Sequence, residues 1–226
     1  MLKRTMYKVN GACVTVGFMA IGPLQNNVYF ITDGTATCMV DPSCDADTLV
    51  EALGGVKLDA IVVTHRHYDH IGAVAQVKKK TGALVIASTA DAPYIAGEQP
   101  DPDGHPGSEP CAVDQRVSDG DIIQLGNMAW RVIETPGHTP GSMCLYLDPQ
   151  FGSNPGGAPV LVSGDTLFSG AAGRTDFAGG SLSDMKHSLK KLSTLPDNTI
   201  VLPGHNEITT IAAERERTFA YYGSLG

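Results

Sequence analysis

Seven side chains able to bind a metal ion recur at one kind of position in this chain. Four of them lie in Thr64-His65-Arg66-His67-Tyr68-Asp69-His70, directly after Asp59-Ala60-Ile61-Val62-Val63. Neutral imidazole is the commonest protein ligand for metals, and imidazole with carboxylate suits zinc or non-haem iron. A single helical face gathers residues four apart, as in the HExxH helix. Here the intervals are two, two and one, so one helical face cannot collect all four. A loop at the end of a strand can, around one centre or around two.

The remaining three occupy similar settings. His138 stands in Thr135-Pro136-Gly137-His138-Thr139-Pro140-Gly141, Asp165 in Ser163-Gly164-Asp165-Thr166, and His205 in Pro203-Gly204-His205. Each has a Gly or Thr beside it, as expected where a backbone turns sharply to present one side chain. Ligand sites in sheet proteins often lie just beyond strand ends, so these four loops can converge on one edge. A tetrahedral zinc site needs three protein ligands and an open position. Seven donors exceed that and suit two ions with a carboxylate between them. His105 and His187 lack such a setting and are left out of the set.

The elements that must position these loops follow from hydrophobic period and turn signals. Residues 12–21, 27–33 and 36–40 are predicted strands, separated by Gly22-Pro23 and Asp33-Gly34. A short helix is predicted over 45–53, capped by Asp45 or Asp47, and a buried strand over 59–63. Ile71, Val74 and Val77 set a helical period that ends at Thr81-Gly82, and 83–87 is the next strand. The Pro- and Gly-rich stretch 97–110 is a surface loop. Residues 117–125 and 128–134 flank Gly126-Asn127 as a hairpin. Strands follow at 142–147, 160–162 and 199–202, with an amphipathic helix marked by Leu182, Met185, Leu189 and Leu192 and a last helix over 208–222. Two mixed sheets face to face with helices outside accommodate this order.

Composition narrows the function classes. A chain of 226 residues without a linker fits one domain, residues 1–226, and 42% hydrophobic content supplies a substantial core. Net charge is −8, with no basic run beyond Lys78-Lys79-Lys80, which argues against nucleic acid or an anionic membrane as partner. No apolar run approaches the roughly 20 residues that span a bilayer. The amino terminus lacks a signal-type apolar core. Cys13, Cys38, Cys44, Cys111 and Cys144 form no CxxC pair, and an odd number cannot all pair within the chain. Reduced thiols in a cytoplasmic protein are the expectation.

Taken together, these residues carry a family resemblance. Thr64-His65-Arg66-His67-Tyr68-Asp69-His70 followed in order by His138, Asp165 and His205 resembles the metallo-β-lactamase superfamily. Within it the chain is most similar to glyoxalase II-like hydrolases. The segments that carry this likeness are Gly22-Pro23-Leu24-Gln25-Asn26-Asn27-Val28-Tyr29, Val40-Asp41-Pro42, Gly164-Asp165-Thr166-Leu167-Phe168 and Gly173-Arg174-Thr175-Asp176-Phe177. The resemblance implies an α/β (α+β) fold, a four-layer αββα sandwich with the site at one edge of the sheets. It assigns His65, His67 and His138 to a first metal and Asp69, His70 and His205 to a second, with Asp165 bridging. Asp69 would also orient the attacking hydroxide, and Asp41 would fix the tautomer of a ligand histidine. The implied cofactors are two divalent ions, zinc first, although the same ligands accept iron or manganese.

The implied activity is hydrolysis of a small-molecule thioester, S-2-hydroxyacylglutathione or another thiol ester, by hydroxide formed at the metal centre. A thiolate is a weak base and leaves without a strong general acid, which suits a chain with no evident Ser-His or Cys-His pair. The larger glyoxalase II enzymes carry a further carboxy-terminal helical region with basic residues for glutathione, whereas this chain ends at Gly226. Arg174 stands where those enzymes place a glutathione-contacting lysine. It is the candidate anchor for a substrate carboxylate, with a salt bridge to Asp176 as the alternative role. Tyr146 and the loop 97–110 are expected to border the pocket. Two rivals share the resemblance. One is a persulfide dioxygenase with a single iron on His65, His138 and Asp165, a two-histidine, one-carboxylate set. The other is a lactonase or other ester hydrolase using the same chemistry.

Overall fold

The central strands of this protein are apolar on both faces, because each sheet is covered on both sides there. The computed structural model describes residues 5–105 and 107–224. The first half supplies β1 (Tyr7–Val9), β2 (Thr15–Ile21), β3 (Asn26–Thr32), β4 (Thr37–Val40), α1 (Ala46–Ala52), β5 (Ala60–Val63), α2 (Tyr68–Ile71), α3 (Val74–Thr81), β6 (Leu84–Ser88), α4 (Ala92–Ile95) and β7 (Gln115–Val117). Its strands form one sheet in sequence order, antiparallel from β1 to β4 and parallel from β4 to β7. The second half supplies β8 (Ile122–Leu125), β9 (Met128–Glu134), β10 (Met143–Leu147), β11 (Val160–Gly164), β12 (Leu167–Phe168), β13 (Ala171–Ala172), α5 (Leu182–Leu192), β14 (Ile200–Pro203), β15 (Thr209–Thr210), α6 (Ile211–Glu214) and α7 (Ala220–Ser224). Its main sheet runs β15-β14-β11-β10-β9-β8, with β11 and β14 parallel.

Side-chain alternation builds four layers from these two sheets. Ala60 and Val62 of β5 join Leu145, Leu147, Trp130 and Val162 in the core between the sheets. Ile61 and Val63 point the other way, against Leu49 of α1 and Val74 and Val77 of α3. On the second sheet, Cys144 and Leu161 turn outward to Met185, Leu189 and Leu192 of α5 and Ile211 of α6. The expected αββα sandwich is therefore what the chain adopts. Three of the four α5 stripe residues are buried, whereas Leu182 is exposed in the first turn. Ser181 caps that helix by accepting from Asp184 N.

Several element boundaries differ from expectation for identifiable reasons. Val117 does not open the hairpin: it ends β7, which pairs in parallel with β6 in the first sheet, and the hairpin is β8 with β9. The helix expected after Ile71 is broken into α2 and α3 at Gly72, where a Cβ would lie 2.3 Å from Ser43 O. The first predicted strand starts at Thr15 rather than residue 12, and Ala12 instead bridges to Ala158. The last helix begins at Ile211 and contains a π turn over Arg215–Phe219. The short helix α4 and the hairpin of β12 with β13 had no expected counterpart.

One carboxylate ties the two sheets together far from the metal-ligand loops. Asp33 accepts from Thr35 N at 2.8 Å, Thr35 Oγ1 at 2.7 Å and Ala36 N at 2.9 Å in its own turn. It also accepts from Asn127 N, at 2.7 Å, in the β8–β9 turn. Burial is the largest single influence and raises its pKa, but the four donors together outweigh it and hold the carboxyl below the ordinary carboxylate range. Asp33→Ala is expected to cost about 2 kcal/mol of stability at neutral pH, by urea unfolding. Because the folded-state pKa is depressed, this contribution exists above the unfolded pKa of about 4 and disappears as pH falls through the folded value. The two proteins should therefore converge in stability toward strongly acidic pH. An unchanged midpoint at pH 7 would contradict this.

Candidate metal centre

The sequence places the seven candidate residues after β5, β9, β11 and β14, and the structure brings them to one edge of the sandwich. One ring nitrogen from each of His65, His67 and His138 lies within 4.8 Å of the others, and so does one ligand atom from each of Asp69, His70 and His205. Asp165 stands between the two groups. Its Oδ2 is 3.5 Å from His138 Nε2 and 3.6 Å from His205 Nε2, and its Oδ1 is 3.4 Å from His70 Nε2.

Each histidine has one ring nitrogen turned inward and the other turned to a partner behind it. His65 Nδ1 donates to Thr64 Oγ1 at 3.1 Å, His138 Nδ1 to Arg174 O at 2.7 Å and His205 Nδ1 to Leu24 O at 3.1 Å. His70 Nδ1 donates to Asp41 Oδ2 at 3.0 Å. For all four, Nε2 faces the centre. His67 is reversed: Nδ1 faces inward, 2.8 Å from His138 Nε2, and Nε2 points back to Asp103 Oδ2 at 3.7 Å. The four hydrogen-bonded partners fix tautomer and ring orientation, whereas Asp103 lies beyond hydrogen-bond distance of His67.

Asp41, expected to hold a ligand histidine, does more. Its Oδ1 accepts from Thr64 N at 2.7 Å and its Oδ2 from Thr64 Oγ1 at 2.6 Å, so through Thr64 it also supports His65. It does this from a left-handed backbone, φ 50°, a conformation that Asp tolerates better than most residues.

Charge and burial indicate what the centre is built to hold. Burial, reinforced by the neighbouring imidazoles, lowers His65 well below the ordinary histidine pKa and brings His67 down to about 4. These rings are therefore neutral at pH 7 and present lone pairs. His65 Nε2 is buried with no hydrogen-bond partner among the described residues. Burial alone would raise Asp165, but His70, His205 and His138 overcome it and keep the carboxylate ionised. Lone pairs and carboxylates converging in a buried space fit a divalent cation, the partner that satisfies them all.

A cleft of about 720 Å³ opens over these groups, bordered by Leu24, Tyr68, His105, Phe168, Arg174 and Phe177. Arg174 both lines it and forks onto Asp176, with Nε to Oδ1 and Nη2 to Oδ2 each 2.7 Å, while its guanidinium lies 4.3 Å over the Phe177 ring. The loop 97–110 borders the cleft through His105, which stacks against Tyr68 at 4.6 Å. Tyr146 must be corrected. It sits on the outer face of β10, among Ile133, Leu161 and Leu189 and with Arg131 5.3 Å above its ring, and does not line the cleft.

Sequence reasoning missed three neighbours of the centre. Asn26 Nδ2 donates to Asp69 Oδ2 at 2.9 Å and lies within 3.4 Å of His70 and His205 Nε2. Asp91 and Asp103 sit behind the first group. Only Asn26 had a signal, its place in the segment 22–29 that carried the family likeness.

Comparison with known proteins agrees with this fold. A family described as the metallo-beta-lactamase superfamily matches residues 21–205. The chain is 31% identical to the "Probable metallo-hydrolase YqgX" of Bacillus subtilis, over 88% of this chain and 93% of that protein. It is 33% identical to a hydroxyacylglutathione hydrolase of Rhodospirillum rubrum, over 84% of this chain and 66% of that protein. Among solved structures it resembles the BLEG-1 B3 metallo-beta-lactamase, with TM-score 0.79, 32% identity and coverage of 89% and 97%. It also resembles TTHA1623 in a di-iron-bound form, with TM-score 0.74, 31% identity and coverage of 88% and 96%. ETHE1 from Myxococcus xanthus follows, with TM-score 0.68, 26% identity and coverage of 94% and 82%. With its sandwich, its His/Asp groups and a match spanning most of its length, the chain belongs to the metallo-β-lactamase superfamily.

Proposed function

We propose that this protein is a dinuclear metal-dependent hydrolase of small thioesters, with S-2-hydroxyacyl esters of glutathione or another thiol as its substrate class. The observation that carries the proposal is Asp165, which faces both ligand groups from one buried position. His65, His67 and His138 would hold one ion, Asp69, His70 and His205 the other. Two divalent cations there, zinc or iron, would supply a water of lowered pKa and Lewis acidity toward a carbonyl oxygen.

The chain's own residues supply positioning. The outer hydrogen bonds of Asp41, Thr64, Leu24 and Arg174 keep the imidazole lone pairs aimed inward. Asn26 steadies Asp69 in the second group, where that carboxylate can also orient the attacking water. Tyr68 and Phe177 wall the cleft with apolar surface, and Arg174 is its cation, placed to meet a substrate carboxylate at the rim. Beyond the ligand set, the titratable groups on the cleft wall are Tyr68, His105 and Arg174. A leaving group that needs no strong acid, such as a thiolate, matches that inventory. The name of the Rhodospirillum rubrum relative supports the same substrate class.

A persulfide dioxygenase would need one iron on His65, His138 and Asp165. The complete second group, Asp69, His70 and His205, favours the dinuclear hydrolase instead. The five cysteines are unpaired, which suits work in the reducing cytoplasm. Among the described residues no helix is long and apolar enough to cross a membrane. The test is a substrate panel on metal-loaded protein: S-D-lactoylglutathione, a γ-lactone and a β-lactam, each followed to its hydrolysis product. The thioester is expected to show a kcat/KM about tenfold or more above the others. Preference for the lactone or the β-lactam would overturn the substrate assignment.

A further inference from the structure

We infer that Arg66 and Asp91 are positioning residues that set metal affinity at the first group, His65, His67 and His138, and not at the second. The inference rests on the dinuclear reading above. Arg66 lies in sequence between two histidines of the first group, yet its side chain points away from the cleft and is almost wholly buried, as is that of Asp91. Burying a guanidinium and a carboxylate is costly unless both are paired in good geometry.

The side-chain contacts of Asp91 fall on the loops that carry the first group. Asp91 Oδ2 accepts from Arg66 N at 3.0 Å, fixing the backbone between His65 and His67. The same oxygen accepts from Thr139 Oγ1 at 2.7 Å, the residue after His138. Asp91 Oδ1 receives Arg66 Nη1 at 3.1 Å. One carboxylate thus joins the two loops that bear all three histidines. The turn after His138 closes tightly on it, since a Cβ at Gly141 would stand 2.4 Å from Asp91 Cγ.

Arg66 extends the clamp to a third loop. Its Nη2 donates to Ala178 O at 2.7 Å, and Ala178 N donates to Asp103 Oδ1 at 2.7 Å. Asp103 Oδ2 is the atom that stands behind His67 Nε2. The guanidinium also lies 4.7 Å over the Tyr94 ring. This planar fork, with two donors aimed at different acceptors and a face on an aromatic ring, is a task for arginine rather than lysine. Neither residue makes a hydrogen bond or ion pair with Asp69, His70 or His205, which are held instead by Asn26, Asp41 and Leu24.

The test measures zinc affinity by chelator competition in two backgrounds that leave one position each. His205→Ala leaves the first group complete, and His67→Ala leaves the second. Adding Arg66→Met to His205→Ala is expected to raise the zinc Kd about 10- to 100-fold, the usual effect of losing a partner behind a metal ligand. Adding it to His67→Ala should leave Kd within about threefold, as for residues that share no partner. Asp91→Asn should reproduce this pattern. Arg66→Lys, which keeps a charge opposite Asp91 but loses the fork, should shift Kd in the same direction by less, and it serves with Asp91→Asn where Arg66→Met does not fold. Equal shifts in both backgrounds, or a lowered Tm with neither affinity changed, would overturn the inference, since a purely structural role predicts those results. Failure of the dinuclear reading is distinguishable: the unsubstituted protein would then bind fewer than two zinc ions.

Discussion

Asp165→Ala is expected to remove tight binding of both metal ions and to lower kcat by about 10³-fold or more, with the fold intact. Among the described residues, Asp165 is the one carboxylate within 3.6 Å of nitrogen atoms from both histidine groups. Without it, five imidazoles converge with only Asp69 to balance two dications. A Lewis-acid contribution of several kcal/mol corresponds to about three decades in rate, each decade being about 1.4 kcal/mol. The fold should survive because Asp165 lies beyond the end of β11 and takes no part in the strand pairing. Elemental analysis, circular dichroism and thioester turnover on one preparation read all three quantities. Full retention of two ions would contradict the bridging role. Asp165→Asn should fall between, since an amide oxygen can ligate but carries no charge.

Gly204→Ala is expected to be nearly as damaging, although it removes no ligand. A Cβ there would lie 2.3 Å from Asp165 Oδ1 and 2.7 Å from His70 Cε1, far inside van der Waals contact. The backbone of Gly204 is also pinned, donating to Gly164 O and accepting from Asn27 N, each at 2.8 Å. The methyl therefore cannot retreat, and the carboxylate and His70 must move. Weaker binding of both ions follows, with kcat down by about 10²-fold, the scale set by displacing catalytic groups by about 1 Å. Gly204→Ala protein that keeps two ions and near-normal turnover would show that the edge is looser than these distances imply.

Much of the candidate site was legible because its chemistry is written locally. His, Asp, Gly and Thr cluster where apolar runs end, and a strand end is where a side chain can be presented without disturbing the sheet. The two-sheet architecture was legible for a similar reason, since strands and helices alternate twice with clear periods.

The losses are equally physical. Tyr146 was misplaced because Met143, Cys144, Leu145, Tyr146 and Leu147 are all apolar and all buried, so alternation does not tell the inner face from the outer. Val117 was joined to the wrong strand because its parallel partner β6 is nearly thirty residues away in sequence, and no local pattern encodes that pairing. Asn26, Asp91 and Asp103 were missed as parts of the site because each acts through contacts with residues far away in the sequence. A polar residue that reaches across 25 or 43 positions to its partner leaves no periodic trace.

The central claim is that one buried carboxylate joins two metal positions into a single hydrolytic centre. The measurement that tests it most directly is metal stoichiometry on protein whose reactions are followed in parallel. Two zinc or iron ions per chain are expected, with thiol release from S-D-lactoylglutathione that rises as the second ion is added. One iron per chain, with oxygen consumed on glutathione persulfide and no thiol released from the thioester, would contradict that claim.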